Sequence, residues 1–233
     1  MLQASHLTKK YGHFMALKSL NLRVEKGEIY CLLGANGAGK STTINLFLNF
    51  IQPTEGKALI DGIDVSEMPV AARKKLSYIP ENLKLYPSLT GVENLDFFCG
   101  LGGKTLKKEE LEELLVLAGL QPDFTNKRVG NYSKGMRQKV GIALARARGD
   151  EVLLLDEPTS GLDPKSSNEF SELLLSMKEQ GVATLMATHD LFRAKDTGTH
   201  IGIMKGGVLL ENLETTQLSF KDLENLYMDH MRS

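Results

Sequence analysis

The chain has 233 residues, of which 42% are hydrophobic, enough apolar material for one large domain or for a core with an inserted subdomain. Its formal net charge of -1 argues against strong nonspecific binding to nucleic acid, which usually requires an excess of basic residues. The two cysteines, Cys31 and Cys99, are too few for a disulfide framework. We expect both to be buried thiols in a reducing compartment.

Neither a membrane span nor a signal peptide is visible in the sequence. The most apolar runs, IYCLLG and VLLLD, are far shorter than the ~20 residues that cross a bilayer. The first residues, MLQASHLTKKYG, lack the basic start and apolar stretch of a signal peptide. We therefore expect a cytoplasmic protein. If it works at a membrane, another chain must span that membrane.

Strands dominate the first 33 residues. The alternation of LKSLNLRV, from Leu17 to Val24, predicts a half-buried strand. The continuous apolar run EIYCLL, just before Gly34, predicts a fully buried one. KSTTINLFLNF then predicts a helix, and KALIDG predicts a strand followed by a turn.

The middle of the chain has a different pattern. Between Glu81 and Gly130, GVENLDFFCGLGG and LKKEELEELLVLAGL have helical character, which suggests an inserted helical subdomain. Buried strands return at VLLLD and VATLMAT, a helix is expected from Pro164 to about Gln180, and HIGIMKGGVLL predicts a hairpin around Gly206 and Gly207. This alternation predicts an α/β sheet that binds its ligand at the carboxyl ends of its strands.

A phosphate-binding loop follows the first buried strand. GANGAGKST matches the pattern G-x-x-x-x-G-K-[ST] between a strand and a helix, the context that separates this loop from a chance glycine-rich turn. Its N–H groups would face one anion, helped by the positive end of the following helix. Lys40 would reach the β- and γ-phosphates of ATP, and the Ser41 hydroxyl would bind Mg²⁺. The predicted nucleotide contacts are Gly34, Ala35, Asn36, Gly37, Ala38, Gly39, Lys40, Ser41 and Thr42.

Candidate catalytic side chains follow two later buried strands. VLLLDEP would place Asp156 at the edge of the sheet beside the phosphate loop, where its carboxylate suits the coordination of Mg²⁺. Glu157 would reach the γ-phosphate and is the candidate general base for the attacking water. His189, in ATHD, would emerge at the same edge and sense the γ-phosphate.

These motifs, in their order along the chain, resemble those of the nucleotide-binding subunits of ABC transporters, from Tyr11 to about Leu210. The motifs are Tyr11 itself, GANGAGKST, YIPEN, YSKGM, VLLLDEP, SGLD and TH. The resemblance implies an α/β P-loop NTPase (RecA-like) core with an antiparallel β subdomain and an inserted α-helical subdomain. The core and β subdomain would occupy 1–80 and 141–210, the helical subdomain 81–140, and a short tail 211–233, with a helix around 221–228.

The resemblance also implies how two copies would work together. In YSKGM, Ser133 and the Gly135 N–H would contact the γ-phosphate of ATP held by a second ATPase subunit, with Lys134 between them in the same site. We expect the dimer to be a homodimer. Asp163 in SGLD would couple the two sites, and Tyr11 would stack on adenine. ATP would close the dimer head to tail and hydrolysis would open it, driving transmembrane permease subunits from the cytoplasmic face of the membrane. No nucleic-acid partner is expected.

Two positions depart from the common pattern of the family. Glu81 stands after YIP where the family usually has Gln, and could still reach Mg²⁺ or the water through an oxygen. Lys134 replaces a Gly of LSGGQ and would add positive charge near the partner's nucleotide or on the rim of the site. Together with the stretch LYPSLTGVENL, these departures make the sequence similar to ATPases of the ABC-2 type export class. PENLKLYPSLTG is also similar to the ATPase of nitrous-oxide-reductase copper-site maturation systems.

Some alternatives stay open at this point. The apolar residues Leu83, Leu85, Tyr86 and Leu89 could dock a coupling helix of a membrane partner or pack within the helical subdomain. A soluble ABC ATPase of the iron–sulfur assembly type, with no membrane partner, is the main alternative function. The sequence does not identify the transported substrate.

Overall fold

The computed structural model describes residues 1–232, which form two sheets surrounded by helices. The larger sheet has the strand order β10-β9-β3-β8-β7-β6, and all its pairings are parallel except β9 with β10. The smaller sheet, β2-β1-β4-β5, is antiparallel. The strands are β1 Leu2–Tyr11, β2 Phe14–Val24, β3 Ile29–Leu33, β4 Glu55–Ile60, β5 Ile63–Asp64, β6 Leu76–Ile79, β7 Val152–Asp156, β8 Ala183–Thr188, β9 His200–Lys205 and β10 Val208–Glu214.

Helices cover the larger sheet and form a separate cluster between β6 and β7. They are α1 Lys40–Phe47, α2 Pro69–Arg73, α3 Gly91–Leu101, α4 Lys108–Leu117, α5 Pro122–Thr125, α6 Lys134–Arg148, α7 Pro164–Glu179, α8 Leu191–Thr197 and α9 Phe220–Arg232. None of the helices within residues 1–232 is both long and apolar enough to cross a membrane. The predicted α/β fold with an antiparallel β subdomain and an inserted helical region is confirmed.

The central strands are buried on both faces because each face of the larger sheet carries its own core. Along β3, Ile29, Cys31 and Leu33 pack into the core that reaches the helical region. The alternate residues Tyr30 and Leu32 pack into the core shared with the β subdomain and α1. This period of two explains why the strand is a continuous apolar run in the sequence. Both cysteines, Cys31 and Cys99, are buried free thiols.

The inserted helices begin at well-formed caps. Thr90 accepts a hydrogen bond from the Glu93 N–H at 3.1 Å, and the Glu93 carboxylate accepts one from the Thr90 N–H at 2.7 Å, so a capping box starts α3. α6 begins after Ser133, whose hydroxyl accepts from the Met136 N–H, and ends at Gly149 in the left-handed conformation. α6 runs without a break through residue 140, where we expected the helical subdomain to end, so the domain boundaries stay a prediction.

Most sequence-predicted elements are present, with shifted ends. α7 and the β9–β10 hairpin lie where expected, whereas β2 begins at Phe14, ahead of the predicted start. The predicted C-terminal helix, 221–228, was too short, because α9 continues to Arg232. The extension has a packing cause, since the apolar residues Leu223, Leu226, Tyr227 and Met231 recur on one face of α9 and contact the core.

The junction between α8 and β9 offers a test of core packing. A Cβ atom at Gly198 would lie 2.6 Å from the Ala194 carbonyl oxygen and 2.8 Å from the Cys31 sulfur. We expect Gly198→Ala to lower the free energy of unfolding by about 1–3 kcal/mol, because neither neighbour can move freely. Urea unfolding of the nucleotide-free protein measures this.

Gly100→Ala is the matched control, because a Cβ at Gly100 in α3 meets nothing within 4 Å. There we expect unchanged or slightly higher stability, since alanine favours a helix over glycine by up to about 1 kcal/mol. Equal stability of the two variants would contradict the packing argument.

Candidate nucleotide-binding site

The phosphate loop joins β3 to α1 and is held tightly by its surroundings. A Cβ at Gly34 would lie 2.4 Å from the Met204 carbonyl oxygen, so only glycine fits there. Gly39 has a φ of 112°, and a Cβ on it would lie 2.9 Å from the Ala16 carbonyl oxygen. The two glycines of the motif are therefore required by close approach and backbone conformation, which fix the curve of the loop.

Lys40 is folded into this loop. Its side-chain ammonium donates to the carbonyl oxygens of Gly34 at 2.6 Å and Ala35 at 3.3 Å. It also lies 3.5 Å from Oε1 of Glu157, and the residue is only 5% exposed. A buried ammonium requires such partners, and the phosphates of a nucleotide are stronger acceptors than carbonyl groups.

Asp156 ends β7 next to the start of α1. One of its carboxylate oxygens accepts a hydrogen bond from the Ser41 hydroxyl at 3.1 Å. Burial raises the pKa of Asp156, and the charges of Glu157 and Glu81 raise it further, while the Ser41 hydrogen bond and Lys40 act in the opposite direction. The charged form is therefore disfavoured without a cation, and a divalent cation would stabilise it.

The oxygen donors of Ser41 and Asp156 fit Mg²⁺, which prefers oxygen ligands and keeps several waters. Within residues 1–232, no group of three or more His, Cys, Asp or Glu side chains could hold a metal ion by itself. A magnesium ion here would therefore complete its coordination with phosphate oxygens and water. The residues present fit the predicted Mg²⁺–nucleotide pair.

Glu157 has an unusual backbone and a partly buried carboxylate. Its φ of 47° is left-handed, a conformation that side-chain-bearing residues rarely adopt, and its N–H donates to the Ala187 carbonyl oxygen at 2.9 Å. The side chain is 15% exposed, and its Oε2 lies 2.9 Å from Nδ1 of His189. Its buried Oε1 has no hydrogen-bond partner in the described structure. Glu157 and His189 are thus brought together as predicted, and the other carboxylate oxygen, Oε1, is paired with the Lys40 ammonium at 3.5 Å.

The cleft beside these residues has a volume of about 280 Å³. It is lined by the loop residues 35–42 together with Phe14, Ala16, Glu81, Asp156 and Glu157. Phe14 is an aromatic that we did not select from the sequence, and it is 64% exposed. The signal that could have found it is an apolar ring at an exposed strand end, beside the hairpin turn at Gly12 and His13.

Tyr11, the aromatic that we selected instead, is paired with Phe14 across the β1–β2 hairpin. It is 47% exposed, and the Lys9 ammonium lies 4.9 Å from the centre of its ring. The lining of the cleft does not include it. The stacking of Tyr11 on adenine stays a prediction, and Phe14 is a second aromatic at the same end of the cleft.

The loop from Ser160 to Asp163 connects the cleft to α7. The Ser160 hydroxyl donates to Oε1 of Glu81 at 3.1 Å. Asp163 caps α7 by accepting from the N–H of Ser166 at 3.0 Å and from its hydroxyl at 2.6 Å, and these hydrogen bonds lower the pKa of Asp163. Asp163 is exposed and thus available to a second protein chain.

The signature residues stand apart from the chain's own cleft. Ser133 is exposed at the start of α6, and Gly135 is buried, where a Cβ would lie 3.2 Å from that of Ser166. Lys134 donates to the carbonyl oxygen of Ser160 at 2.7 Å and lies 3.6 Å from Oε1 of Glu81. None of these three signature residues lines the cleft. Within its own chain Lys134 therefore contacts Ser160 and Glu81, and its place near a partner's nucleotide stays a prediction.

A family model described as ABC transporter matches residues 17–160, more than half of the chain. The chain belongs to the ABC transporter ATP-binding family. The matched range includes the phosphate loop, Glu81, the signature residues, Asp156 and Glu157, whereas Asp163 and His189 lie beyond it. As a member of this family, the protein is an ATPase that binds ATP with Mg²⁺.

Two curated proteins and one solved structure illustrate the relationship. The chain is 37% identical over 227 residues to the bacitracin transport ATP-binding protein BcrA of Bacillus licheniformis, covering 97% of this chain and 74% of BcrA. It is 36% identical over 212 residues to the probable multidrug ABC transporter ATP-binding protein YbhF of Escherichia coli, covering 90% of this chain and 36% of YbhF. It therefore spans little more than a third of YbhF. A dimeric, post-hydrolysis structure of the ATP-binding cassette MJ0796 with ADP and phosphate has a TM-score of 0.81 at 30% identity, covering 92% of this chain and 99% of that one.

The raised pKa of Asp156 predicts how the stability of this ABC ATPase depends on pH. Because its pKa is raised in the folded protein, the charged form destabilises the fold once the pH rises through that pKa, and the cost disappears toward pH ~4, near the usual value. We expect Asp156→Asn to raise the melting temperature of the nucleotide-free protein at pH 7, with a gain that shrinks as the pH is lowered. The same change removes a charged Mg²⁺ ligand and should reduce ATP turnover.

Asp163→Asn is the control, because the pKa of Asp163 is shifted in the opposite direction. The pKa of Asp163 is lowered, so its charge stabilises the fold above the usual carboxyl pKa and this contribution is lost as the pH falls. We expect Asp163→Asn to leave the melting temperature equal or lower at pH 7. Calorimetry of both variants from pH 4 to 8 measures this, and a destabilised Asp156→Asn protein at pH 7 would contradict the prediction.

Proposed function

We propose that the chain is the ATP-hydrolysing subunit of an exporter, in which ATP binding closes two copies head to tail. Hydrolysis and product release would reopen them and drive separate membrane-spanning subunits from the cytoplasmic face of the membrane. The observation that carries the proposal is that Ser133 is exposed at the start of α6 and does not line the chain's own cleft. A phosphate of ATP held by a second copy would satisfy the free N–H groups at the start of that helix.

The names of two relatives support a role in transport, and the export direction is proposed from the resemblance to the ABC-2 type export class. BcrA is named for bacitracin transport and YbhF for probable multidrug transport. The dimeric state of MJ0796 supports the pairing of two cassettes. The narrower resemblance to the copper-site maturation ATPase stays a prediction. The alternative, a soluble ABC ATPase of the iron–sulfur assembly type, is tested by whether the chain copurifies with a membrane protein.

The proposed chemistry assigns one task to each side chain of the cleft. Lys40 would exchange its carbonyl partners for the β- and γ-phosphates. Ser41 and Asp156, with Glu81 nearby, would hold Mg²⁺, which neutralises charge on the phosphates when it is bound. These contacts would orient the terminal phosphate toward Glu157.

Glu157 would then activate the attacking water. Its Oε1 is paired with Lys40 at 3.5 Å and would accept the proton of the water once Lys40 turns to the phosphates, while Oε2 is held by His189. An ionised carboxylate can only accept, so Nδ1 carries the hydrogen in the contact with His189. His189 is 59% exposed, and donation from its other ring nitrogen to the γ-phosphate requires the imidazolium form, in which both ring nitrogens carry hydrogen.

The removal of the base provides the decisive test of closure. In Glu157→Gln, the side chain keeps its size but cannot take a proton, so ATP should bind without being hydrolysed. We expect turnover to fall by about 10²–10⁴-fold and Mg-ATP to shift the protein from monomer to dimer. Light scattering with and without Mg-ATP measures the mass.

Two changes at Ser133 in the Glu157→Gln protein distinguish head-to-tail closure from other association. Both Asp and Asn can replace Ser as the helix cap, but only Asp adds a negative charge where the partner's γ-phosphate would lie. Ser133→Asp should prevent dimer formation and leave ATP binding to the monomer intact. Ser133→Asn should retain most of the dimer. Dimers that form equally well with Asp would contradict this arrangement.

The segment between β6 and α3 contains apolar residues that pack within the subunit and an aromatic residue that is exposed. Leu83 and Leu85 are half-buried and pack against the core that includes the helical region. Tyr86 is 47% exposed and lies against Phe97, with ring centres 4.9 Å apart. The fully buried Asn94 fixes the backbone of Tyr86 through its N–H at 2.8 Å and its carbonyl oxygen at 3.1 Å. A rigid, exposed aromatic of this kind is suited to contact a partner.

We therefore expect Tyr86→Glu to reduce copurification with a membrane-spanning partner by tenfold or more, while the isolated subunit keeps its ATPase activity. Val116→Glu is the control, because Val116 is 42% exposed on α4, away from this segment. Pull-down from membranes of cells that express tagged variants measures both. Equal loss in the two variants would point to general destabilisation instead of docking.

A further inference from the structure

The two departures from the common family pattern, Glu81 and Lys134, meet in the folded chain. Their charged groups lie 3.6 Å apart, although 52 positions separate them in the sequence. Ser160 completes the cluster, because its carbonyl oxygen accepts from Lys134 at 2.7 Å and its hydroxyl donates to Glu81 at 3.1 Å. The ion pair and the two hydrogen bonds of Ser160 thus connect the segment after β6, the signature residues and the loop before α7.

The backbone of α6 aims Lys134 at this position. Lys134, Gln138 and Gly141 recur at helical spacing on one face. Gln138 is fully buried, and its amide donates to the carbonyl oxygens of Pro80 and Glu81, both at 3.2 Å. A Cβ at Gly141 would lie 3.0 Å from Leu83, so the helix and the segment approach closely there. This face holds the backbone on both sides of Glu81, and Lys134 binds its carboxylate.

The charge balance of the cleft explains why the carboxylate requires a partner. Glu81 lines the cleft together with Asp156 and Glu157, so three carboxylates face the place where the phosphates bind. Among the residues lining the cleft, Lys40 is the one basic residue. Glu81 also contributes to the raised pKa of Asp156. An amide at position 81 would carry no charge, whereas the carboxylate repels phosphate unless a cation neutralises it.

We propose that Glu81 and Lys134 are a matched pair, in which Lys134 is a positioning residue that neutralises the Glu81 carboxylate and holds it against Ser160. The pair allows this chain to carry a carboxylate at a position where the family commonly has an amide. The proposal rests on the proposed function only in that the cleft binds ATP. It does not require the dimer or a membrane partner.

A double-mutant cycle on ATP affinity tests the pair. The variants are Glu81→Gln, Lys134→Met and the combination, and the probe is ATP in the presence of EDTA, so that no metal ion masks the carboxylate. Calorimetric titration gives the Kd. Lys134→Met should weaken binding about threefold to tenfold, because it leaves a lone negative charge at the cleft. Lys134→Met in the Glu81→Gln background should weaken ATP binding by less than about twofold.

Two further variants separate pairing from a general effect of a lysine on α6. Lys139 lies on the same helix and pairs with Glu169 at 2.6 Å, outside the cleft. Lys139→Met should change the Kd for ATP little, and by the same factor whether position 81 is Glu or Gln. Lys134→Arg keeps the charge and should restore the affinity to within about twofold of the original chain.

The outcomes separate this proposal from the proposed function. A Lys134→Met effect that is equal in both backgrounds, or absent, would overturn the pair even if Glu157→Gln dimerises with ATP. Non-additive affinities in the monomer would support the pair even if no dimer forms. If Lys134→Met does not fold, Lys134→Gln takes its place in the same cycle, with the same expectation.

Discussion

The parallel hydrogen-bond register of β3, β8 and β7 is the constraint on which the site depends. Leu33 at the end of β3 is opposite Thr188 at the end of β8, and Asp156 at the end of β7 is opposite Ala187. The next residues along each strand therefore leave the sheet at one edge. Those residues are the phosphate loop, Glu157 and His189, and no element other than the sheet is required to bring them together.

The site that forms at this edge is electrostatically unfavourable by itself. Asp156 has a raised pKa, Glu157 has a left-handed backbone, and the Lys40 ammonium is buried. The burial of these two charges and the backbone of Glu157 each cost stability in the nucleotide-free protein. Phosphates and Mg²⁺ would interact favourably with the same groups, so binding would offset these costs. This is the physical link between the local strain and the ATPase activity of the family.

The sequence predicted the parts of this arrangement that follow from local pattern. The buried strands were evident because β3 and β7 pack on both faces and are therefore continuous apolar runs, and the phosphate loop was evident because its glycines are required by close contacts. Phe14 was missed because its importance comes from the hairpin that places it beside the loop, and the end of α9 was missed because it depends on packing against a distant core. The contact of Lys134 with Glu81 could not be foreseen either, because it depends on the distance between two elements and not on either motif alone.

α6 unites these observations. Its first residues present Ser133 to the outside, while the face of Lys134, Gln138 and Gly141 holds the chain from Ile79 to Leu83. That chain continues directly to Tyr86, whose backbone is fixed by Asn94 of α3. The segment at Glu81 is therefore connected to α6 through three contacts, and the exposed aromatic lies five residues further along the same segment. Because α6 is continuous over 15 residues, these contacts and the signature residues at its start belong to one helical element.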